Sequence, residues 1–361
     1  IMRIGILGGG QLAMMMVQQS EDTNFDFLIL DPTESPPASK YATCIKAEYD
    51  DIGSLNYIAD ECDVVTIDFE NVPADTLRFL EKRIVVAPSS SAVEICQDRL
   101  KEKELFINCG IPVTKFTSVY DNDSLKASID YMGKNSILKT RFLGYDGKNQ
   151  FDMEKVDGID YLKECKSNQL ILEKKVDFEK EISIIGVRMN TGKILFYPLV
   201  ENIHKNGILN YSIAPYDDKK LQKLAEEYHK KISDKLNYVG VLVIEFFLDK
   251  NGILIANEMA PRVHNSGHWT NEGANINQFQ AHIKAVANCE LESISIKNHS
   301  AMVNILSKKP DLKNIKDFDY TYYDYNKSER YNRKLGHITL NNKNRDKLIQ
   351  DLNTVYNFIK T

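Results

Sequence analysis

Glu245 and Glu258 are the residues of this 361-residue chain whose spacing most directly specifies chemistry. The stretch from Val239 to Glu258 reads as two apolar runs around Asn251-Gly252, a strong short hairpin signal. With Asn251 and Gly252 as the loop residues, Lys250 pairs with Ile253, and counting outward pairs Glu245 with Glu258. Residues directly opposed on one face lie about 5 Å apart at Cβ. Carboxylates that close repel, and each raises the other's pKa. A divalent cation bridging their oxygens would hold both ionised. The expected neighbours on that face are Val243, Phe247, Ala256 and Ala260, so no Lys or Arg stands there to neutralise the pair. A three-residue loop with a bulge would shift the register by one and set Asn257 opposite Glu245. Either register keeps Glu245, Asn257 and Glu258 in one neighbourhood. The plain alternative is an exposed face on which both glutamates are merely solvated.

Magnesium held by few protein carboxylates, with substrate phosphates completing its shell, is an arrangement used for phosphoryl transfer. A nucleotide site is therefore expected nearby, and three segments supply candidates. Ile137-Leu138-Lys139 is a strand whose lysine enters the loop Thr140 to Lys148, where Gly144 and Gly147 allow closure over phosphates. Leu170 to Val176 is an apolar strand ending in polar groups, an edge that can offer backbone atoms to an adenine. Glu181 follows Glu173 by eight residues, and such a carboxylate can accept both hydroxyls of a ribose. Each segment alone is a weak signal; a basic residue at a strand end is usually just solvated.

A second phosphate-type pattern competes. Gly8-Gly9-Gly10-Gln11-Leu12-Ala13 satisfies G-x-G-x-x-A after a strand, and Asp31 follows at the end of the next strand. That is the dinucleotide fingerprint with its ribose-binding acid. The motif is short and phosphate-generic, and a tight turn in a parallel sheet explains it as well. The triphosphate apparatus elsewhere argues against NAD.

These residues need a scaffold, and the pattern along the chain indicates one. Strands at about Arg3–Leu7, Phe27–Leu30, Val64–Ile67 and Ile84–Ala87 alternate with helical segments, which implies right-handed βαβ units and a parallel sheet. Ser89 to Ser91 can cap a short helix and Asp98 a longer one ending at Gly110-Ile111-Pro112. From Val113 to Val176 short strands, a glycine-rich loop and two helices suggest a small lid. Long strands near 179–188, 193–199, 239–248 and 253–259 read as one antiparallel sheet, with helices near 217–236 and 276–288. The tail carries a strand after Ser300, another near His337 and a final helix, and its charge runs read as solvated surface. The expected class is α/β with α+β elements. Residues 1–97 form a Rossmann-like parallel-sheet domain, 98–112 a helical linker, 113–176 the lid, 177–300 the antiparallel central part and 301–361 a small β-rich region. A net charge of −5 provides no basic field for nucleic acid. No stretch reaches the roughly 18 apolar residues of a membrane span, and Met2 is followed at once by a strand, so no leader is expected. The six cysteines show no CxxC spacing, as in reduced cytoplasmic proteins.

The chain resembles the ATP-grasp superfamily and, within it, the N5-carboxyaminoimidazole ribonucleotide synthetase family of bacterial and fungal purine biosynthesis. The resemblance covers nearly the whole chain. It is carried by GGGQLA at 8–13, DFENV at 68–72, QDRLKEK at 97–103, KTRFLGYDGKNQ at 139–150, EKKVDFEKE at 173–181, NEMAPRVHNSGHWT at 257–270 and RKLGH at 333–337. The 257–270 block is the most specific.

The resemblance implies an ATP-grasp ligase that carboxylates 5-aminoimidazole ribonucleotide with bicarbonate through carboxyphosphate, releasing ADP and phosphate. It implies that Arg99, Lys139 and Lys148 meet ATP phosphates. Glu173, Lys174 and Val176 would line the adenine site, Glu181 the ribose, and Asn257 would share the metal–ATP contact. Glu245 and Glu258 would hold magnesium, expected as two ions. Arg262, His264 and Asn265, with Tyr145 on the lid loop, would orient bicarbonate or carboxyphosphate. The glycine turn would face the aminoimidazole nucleotide rather than NAD, with Gln11 and Leu12 against it, Glu70 at its ribose, and Arg333 and Lys334 at its 5′-phosphate. Asp68 has no assigned role. A cytoplasmic homodimer without membrane or nucleic-acid partners is the implied setting. Against these stand an NAD-dependent oxidoreductase and a non-catalytic nucleotide-binding protein. A formate-using or biotin-carboxylating relative is disfavoured by HNSGHWT and the short chain.

Overall fold

The computed structural model describes residues 1–21, 23–144, 149–155, 163 and 167–360. The N-terminal strands β1 (Met2–Leu7), β2 (Phe25–Asp31), β3 (Thr43–Lys46), β4 (Val64–Ile67) and β5 (Val85–Val86) form one parallel sheet in the order β3-β2-β1-β4-β5. The central strands are apolar on both faces because helices cover both sides, as a parallel sheet requires. The edge strand β3 escaped sequence analysis: its exposed and half-buried residues make no apolar run. The helix Ala74–Glu81, amphipathic but short, was likewise missed. Two predicted caps are present. Ser89 caps Ser90–Gln97, and Asp98 accepts from Leu100 N–H at the start of Arg99–Asn108.

A four-stranded antiparallel sheet, in the stretch expected to be a lid, joins β6 (Phe116–Val119), β7 (Ser136–Thr140), β8 (Gln150–Asp152) and β9 (Leu170–Lys174) in the order β6-β9-β7-β8. The largest sheet is antiparallel. Its strands are β10 (Phe178–Arg188), β11 (Ile194–Phe196), β12 (Val200–Lys205), β13 (Ile208–Ala214), β14 (Gly240–Asp249), β15 (Leu254–Ala260), β16 (His299–Leu306), β17 (Tyr320–Asp324) and β18 (Lys334–Asn342). They run β15-β14-β10-β12-β13-β16-β18-β17, with β11 beside β10. The C-terminal strands therefore extend the central sheet, because β13 pairs with β16.

The parallel and antiparallel parts share one core. Met14, Met15 and Met16 of the helix Gln11–Gln18 are buried in the same cluster as Phe279 and Ile283 of the helix Gln278–Val286. His282 fastens the two sheets: its Nδ1 accepts from Val241 N–H at 3.0 Å, so its Nε2 carries the proton toward Thr66 Oγ1 at 2.8 Å. Burial lowers its pKa to about 4, so this link is neutral.

Candidate active site

The pair expected from the hairpin is present: Glu245 lies opposite Glu258 across β14 and β15. It arises by a different route. Asp249 N–H donates to Ile253 C=O at 3.0 Å, and the Asp249 carboxylate accepts from the amides of Asn251 and Ile253 at 2.9 and 2.8 Å. The loop is thus Lys250 to Gly252, and the ladder pairs Leu248 with Leu254 and Phe246 with Ala256, one residue from the two-residue-loop register. A bulge between Phe246 and Glu245 then shifts it back, leaving Asn257 as the extra residue. Ala256 consequently faces away from Glu245, and Ile255 takes its place opposite Phe247.

The expectation that no Arg or Lys stands beside the pair is overturned. Arg99, the first residue of its helix, reaches Glu258 Oε2 with Nη1 at 2.9 Å. Counting along one hairpin cannot see a side chain arriving from another element. Burial raises the pKa of both carboxyls, but the two part company. For Glu258, Arg99 and Lys139 outweigh burial and hold it well below the usual range. For Glu245, burial and the Glu258 charge outweigh the attraction of His204 and push it up. Facing carboxyls part in this way because the second charge is disfavoured beside the first. Glu245 Oε1 is buried with no hydrogen-bond partner. An orphaned carboxylate oxygen in a facing pair fits a divalent cation. Among the described residues no group of three or more His, Cys, Asp or Glu could hold a metal. The remainder of a magnesium shell would therefore come from phosphate and water, as that ion favours.

Cations and acids alternate around this pair. Glu173 Oε2 meets Lys139 Nζ at 2.9 Å and Lys103 Nζ at 3.6 Å. Burial would raise Glu173, but Lys103, Lys139 and Arg99 bring it to about 2. One oxygen of the residue expected at the adenine is thus committed to two lysines. The other, Oε1, is buried without a partner, an acceptor open to a donor such as an adenine amino group. Lys174 is anchored through Nζ to Met132 C=O at 2.7 Å, so its side chain ties β9 to the end of the helix Asn122–Met132. Val176 is half-buried in the turn before β10. Glu181 Oε2 meets His204 Nδ1 at 3.0 Å. Burial alone would lower His204, but Glu181, Glu245 and Glu258 raise it. Lys103 and His204 were both missed. Lys103 looks like one charge in a surface run, and His204 lies on the unrecognised β12–β13 hairpin, whose Asn206-Gly207 turn was the available signal. Tyr145 and Lys148 lie outside the described residues.

After β15 the chain places Arg262 and His264 beside the parallel sheet. Arg262 Nε pairs with Glu70 Oε2, so residues assigned to different substrates meet here. Burial would raise Glu70, and Arg262 lowers it overall. His264 Nδ1 accepts from Ser266 N–H at 3.3 Å, which puts its proton on Nε2. Burial, then Arg262 and Lys334, lower its pKa to about 3, so it is a neutral donor. The Gln278 carboxamide grips the His264 backbone twice: Oε1 accepts from His264 N–H at 2.9 Å and Nε2 donates to His264 C=O at 2.7 Å. Asn265 and Asn304 exchange reciprocal amide bonds at 3.0 and 2.6 Å.

The glycine turn lies across from Arg262. Asp31 Oδ2 accepts from Gly9 N–H at 2.7 Å while its Oδ1 accepts from Thr33, so the acid of the dinucleotide pattern holds the turn itself. Asp68 acquires a role: Oδ2 accepts from Gly10 N–H at 2.7 Å, capping a helix whose own N-cap residue has no side chain. Burial, against the Gly10 bond, raises Asp68 to about 7. Gly8 has φ +97°, and a Cβ there would sit 1.8 Å from Asp68 Oδ1. Gln11 accepts from Lys327 Nζ at 2.5 Å, and Leu12 packs on the shared core. Lys327 shows that the tail is not all solvated surface. Burial and neighbouring Arg333, against the pull of Asp68, lower it to about 8. Arg333 Nη1 bonds Ser328 Oγ at 2.8 Å, and Lys334 lies close enough to lower His264.

A parallel-sheet domain, a small four-stranded sheet and a larger antiparallel sheet bearing paired carboxylates among buried cations define an ATP-grasp ligase. Residues 104–279 match the ATP-grasp domain family, 1–97 the ribonucleotide synthetase preATP-grasp domain, and 300–351 the phosphoribosylaminoimidazole carboxylase C-terminal domain. The N5-carboxyaminoimidazole ribonucleotide synthase of Pseudomonas aeruginosa is 41% identical over 341 residues, covering 94% of either chain. The crystal structure of N5-carboxyaminoimidazole ribonucleotide synthetase from Thermus thermophilus superposes with TM-score 0.91 at 38% identity, covering 99% of both chains. The Aspergillus clavatus enzyme, solved with ADP and 5-aminoimidazole ribonucleotide, gives TM-score 0.89 at 25% identity over 99% of this chain and 98% of that one. The chain belongs to the N5-carboxyaminoimidazole ribonucleotide synthase family. No helix among the described residues is long and apolar enough to cross a membrane.

Proposed function

We propose that the chain joins bicarbonate to the exocyclic amine of 5-aminoimidazole ribonucleotide at the expense of ATP. A bicarbonate oxygen attacks the γ-phosphorus and ADP leaves, giving carboxyphosphate. The amine nitrogen then attacks the carboxyl carbon, the C–O bond to phosphate breaks, and the amine loses a proton. Catalysis of such steps is mainly positioning and charge neutralisation. Magnesium bound at Glu245 and Glu258 would supply positive charge to the phosphate oxygens. Arg99 and Lys139 act beside it on the transferred charge, with Lys103 and Glu173 fixing Lys139. Glu181, oriented by His204, takes the ribose hydroxyls of ATP. Arg262, steered by Glu70, offers a planar fork to bicarbonate. Neutral His264 adds its Nε2–H without a second positive charge. Lys327, Arg333 and Lys334 gather around the 5′-phosphate above the glycine turn. The protein is taken to act as a cytoplasmic homodimer.

The observation that carries this reading is the facing pair, with a buried orphan oxygen on Glu245 and Arg99 on Glu258. Purified protein with ATP, magnesium and bicarbonate should release ADP faster when 5-aminoimidazole ribonucleotide is added, and labelled bicarbonate should enter the product. Absence of ADP release under every condition would sink the proposal.

A further inference from the structure

The Glu245–Glu258 pairing depends on the bulge at Asn257, and the hairpin turn does not produce that bulge. The loop of Lys250 to Gly252 sets a ladder in which Asn257, not Glu258, would face Glu245. Glu258 would then sit opposite Ile244, whose face packs into a core of Leu242, Phe246 and Met259. Something outside the hairpin holds the extra residue in place.

The helix Arg99–Asn108 supplies it. Residues three and four apart share a helix face, and Arg99, Glu102 and Lys103 all turn toward β15. β15 is an edge strand, so its outer backbone groups have no neighbouring strand to bond. Lys103 Nζ donates to Asn257 C=O at 2.7 Å. Glu102 Oε1 accepts from Met259 N–H at 2.6 Å. These two groups bracket Glu258, one on either side, and Arg99 holds the Glu258 carboxylate between them. Just before the bulge, Pro112 C=O accepts from Ala256 N–H at 2.8 Å, where the same linker ends. Glu102 and Lys103 are 2% and 1% exposed. Burying two ionisable side chains costs stability that apolar residues of similar volume would not cost, so their placement here calls for a return in geometry.

We propose that Glu102 and Lys103 are the positioning residues of the metal pair: they clamp the backbone on both sides of Glu258, hold the Asn257 bulge, and so turn Glu258 to face Glu245. This rests on the reading of Glu245 and Glu258 as magnesium ligands. It places the register of the metal site under the control of the linker helix, the element that also carries the phosphate-facing Arg99.

The test is calorimetric binding of ADP with and without magnesium, together with Mn2+ binding followed by EPR. In the unaltered protein magnesium should tighten ADP binding. Glu102→Leu and Lys103→Met should reduce that tightening, read as the ratio of ADP affinities with and without magnesium in the same protein, at least tenfold and weaken Mn2+ binding. In Glu102→Leu, whose side chain makes no nucleotide contact, metal-free ADP affinity should change less than threefold. Glu102→Gln keeps a carbonyl oxygen for Met259 N–H and should behave as the unaltered protein. Met matches the lysine stem in length, but the loss of the lysine charge leaves the buried Glu173 with one cation fewer, so thermal unfolding first establishes that Lys103→Met is folded. Where it is not, Glu102→Leu carries the test, and where neither folds the two side chains are determinants of the fold rather than of the metal pair and the clamp is overturned. A folded Lys103→Met with full metal coupling, or a folded Glu102→Gln that loses it, overturns the clamp. Glu258→Gln separates the two ideas: retained coupling there would remove the metal reading itself, whereas loss there with retention in Lys103→Met would remove only the clamp.

Discussion

Glu258→Gln preserves shape and removes one charge, and its consequences can be worked from the geometry around that carboxylate. The charge-assisted bond from Arg99 Nη1 at 2.9 Å is weakened. In a buried setting such a bond contributes about 1.5–3 kcal/mol. The Glu258 side chain is 40% exposed, so solvent screening reduces the loss to about 1 kcal/mol. Against it, Glu245 loses the neighbour that helps push its pKa up. The two effects oppose, and Tm should move by only a few degrees. Activity responds differently. A single pair of unit charges about 4 Å apart is worth about 4 kcal/mol at an effective dielectric of 20, on the order of 10³ in rate. ADP release supported by magnesium should therefore fall by about 10²–10³, with the residual rate needing more magnesium. The assay is coupled ADP release across a magnesium titration, paired with thermal unfolding. Turnover within threefold of the unaltered protein at the same magnesium dependence would refute the metal assignment. A fall in Tm beyond about 10 °C would instead mark Glu258 as a structural residue.

Two further outcomes are expected from the same geometry. Lys327 has its pKa lowered to about 8, so its positive charge is lost as pH rises through that value rather than through the ordinary lysine range. If it meets the nucleotide phosphate, kcat/KM for 5-aminoimidazole ribonucleotide should fall above pH 8 by roughly 10- to 100-fold, the value of one charged hydrogen bond. Lys327→Arg should remove that limb, and a pH profile of kcat/KM that is identical in the two proteins would exclude Lys327 from the site. Gln278→Ala frees both backbone groups of His264. It should cost about 2–4 kcal/mol in stability and lower kcat at least tenfold with KM for ATP within threefold, because His264 is displaced and the nucleotide end is not; steady-state kinetics with thermal unfolding checks both.

How far the site could be read in advance differs from residue to residue, for physical reasons. The Glu245–Glu258 pairing was reached through two one-residue shifts that cancel. Asn251-Gly252 pointed to a two-residue loop, yet Asp249 binds two amides of the turn and enlarges it. That preference was local and legible, since Asp favours such turns. The compensating bulge was not, because its anchors, Glu102 and Lys103, come from a segment about 150 residues away in sequence. The Asn206-Gly207 turn does form a two-residue hairpin, with Lys205 paired to Ile208, and went unread between two modest apolar runs.

Periodicity, caps and glycine placement sufficed for the N-terminal strands β1, β2 and β4, the antiparallel strands β10, β14 and β15 and the helix beginning at Arg99, because those depend on neighbours a few residues away. Motif order sufficed for the ligase class, and the hairpin count for which two carboxylates face each other. Tertiary structure alone decided the charge pattern. It buried Lys103 out of a run of surface-like charges, brought Arg99 to Glu258, set Arg262 against Glu70, and turned Asp31 and Asp68 onto the glycine turn. Charges in a folded protein interact through space and through the water that folding removes, and neither distance nor burial is written in the order of residues along the chain.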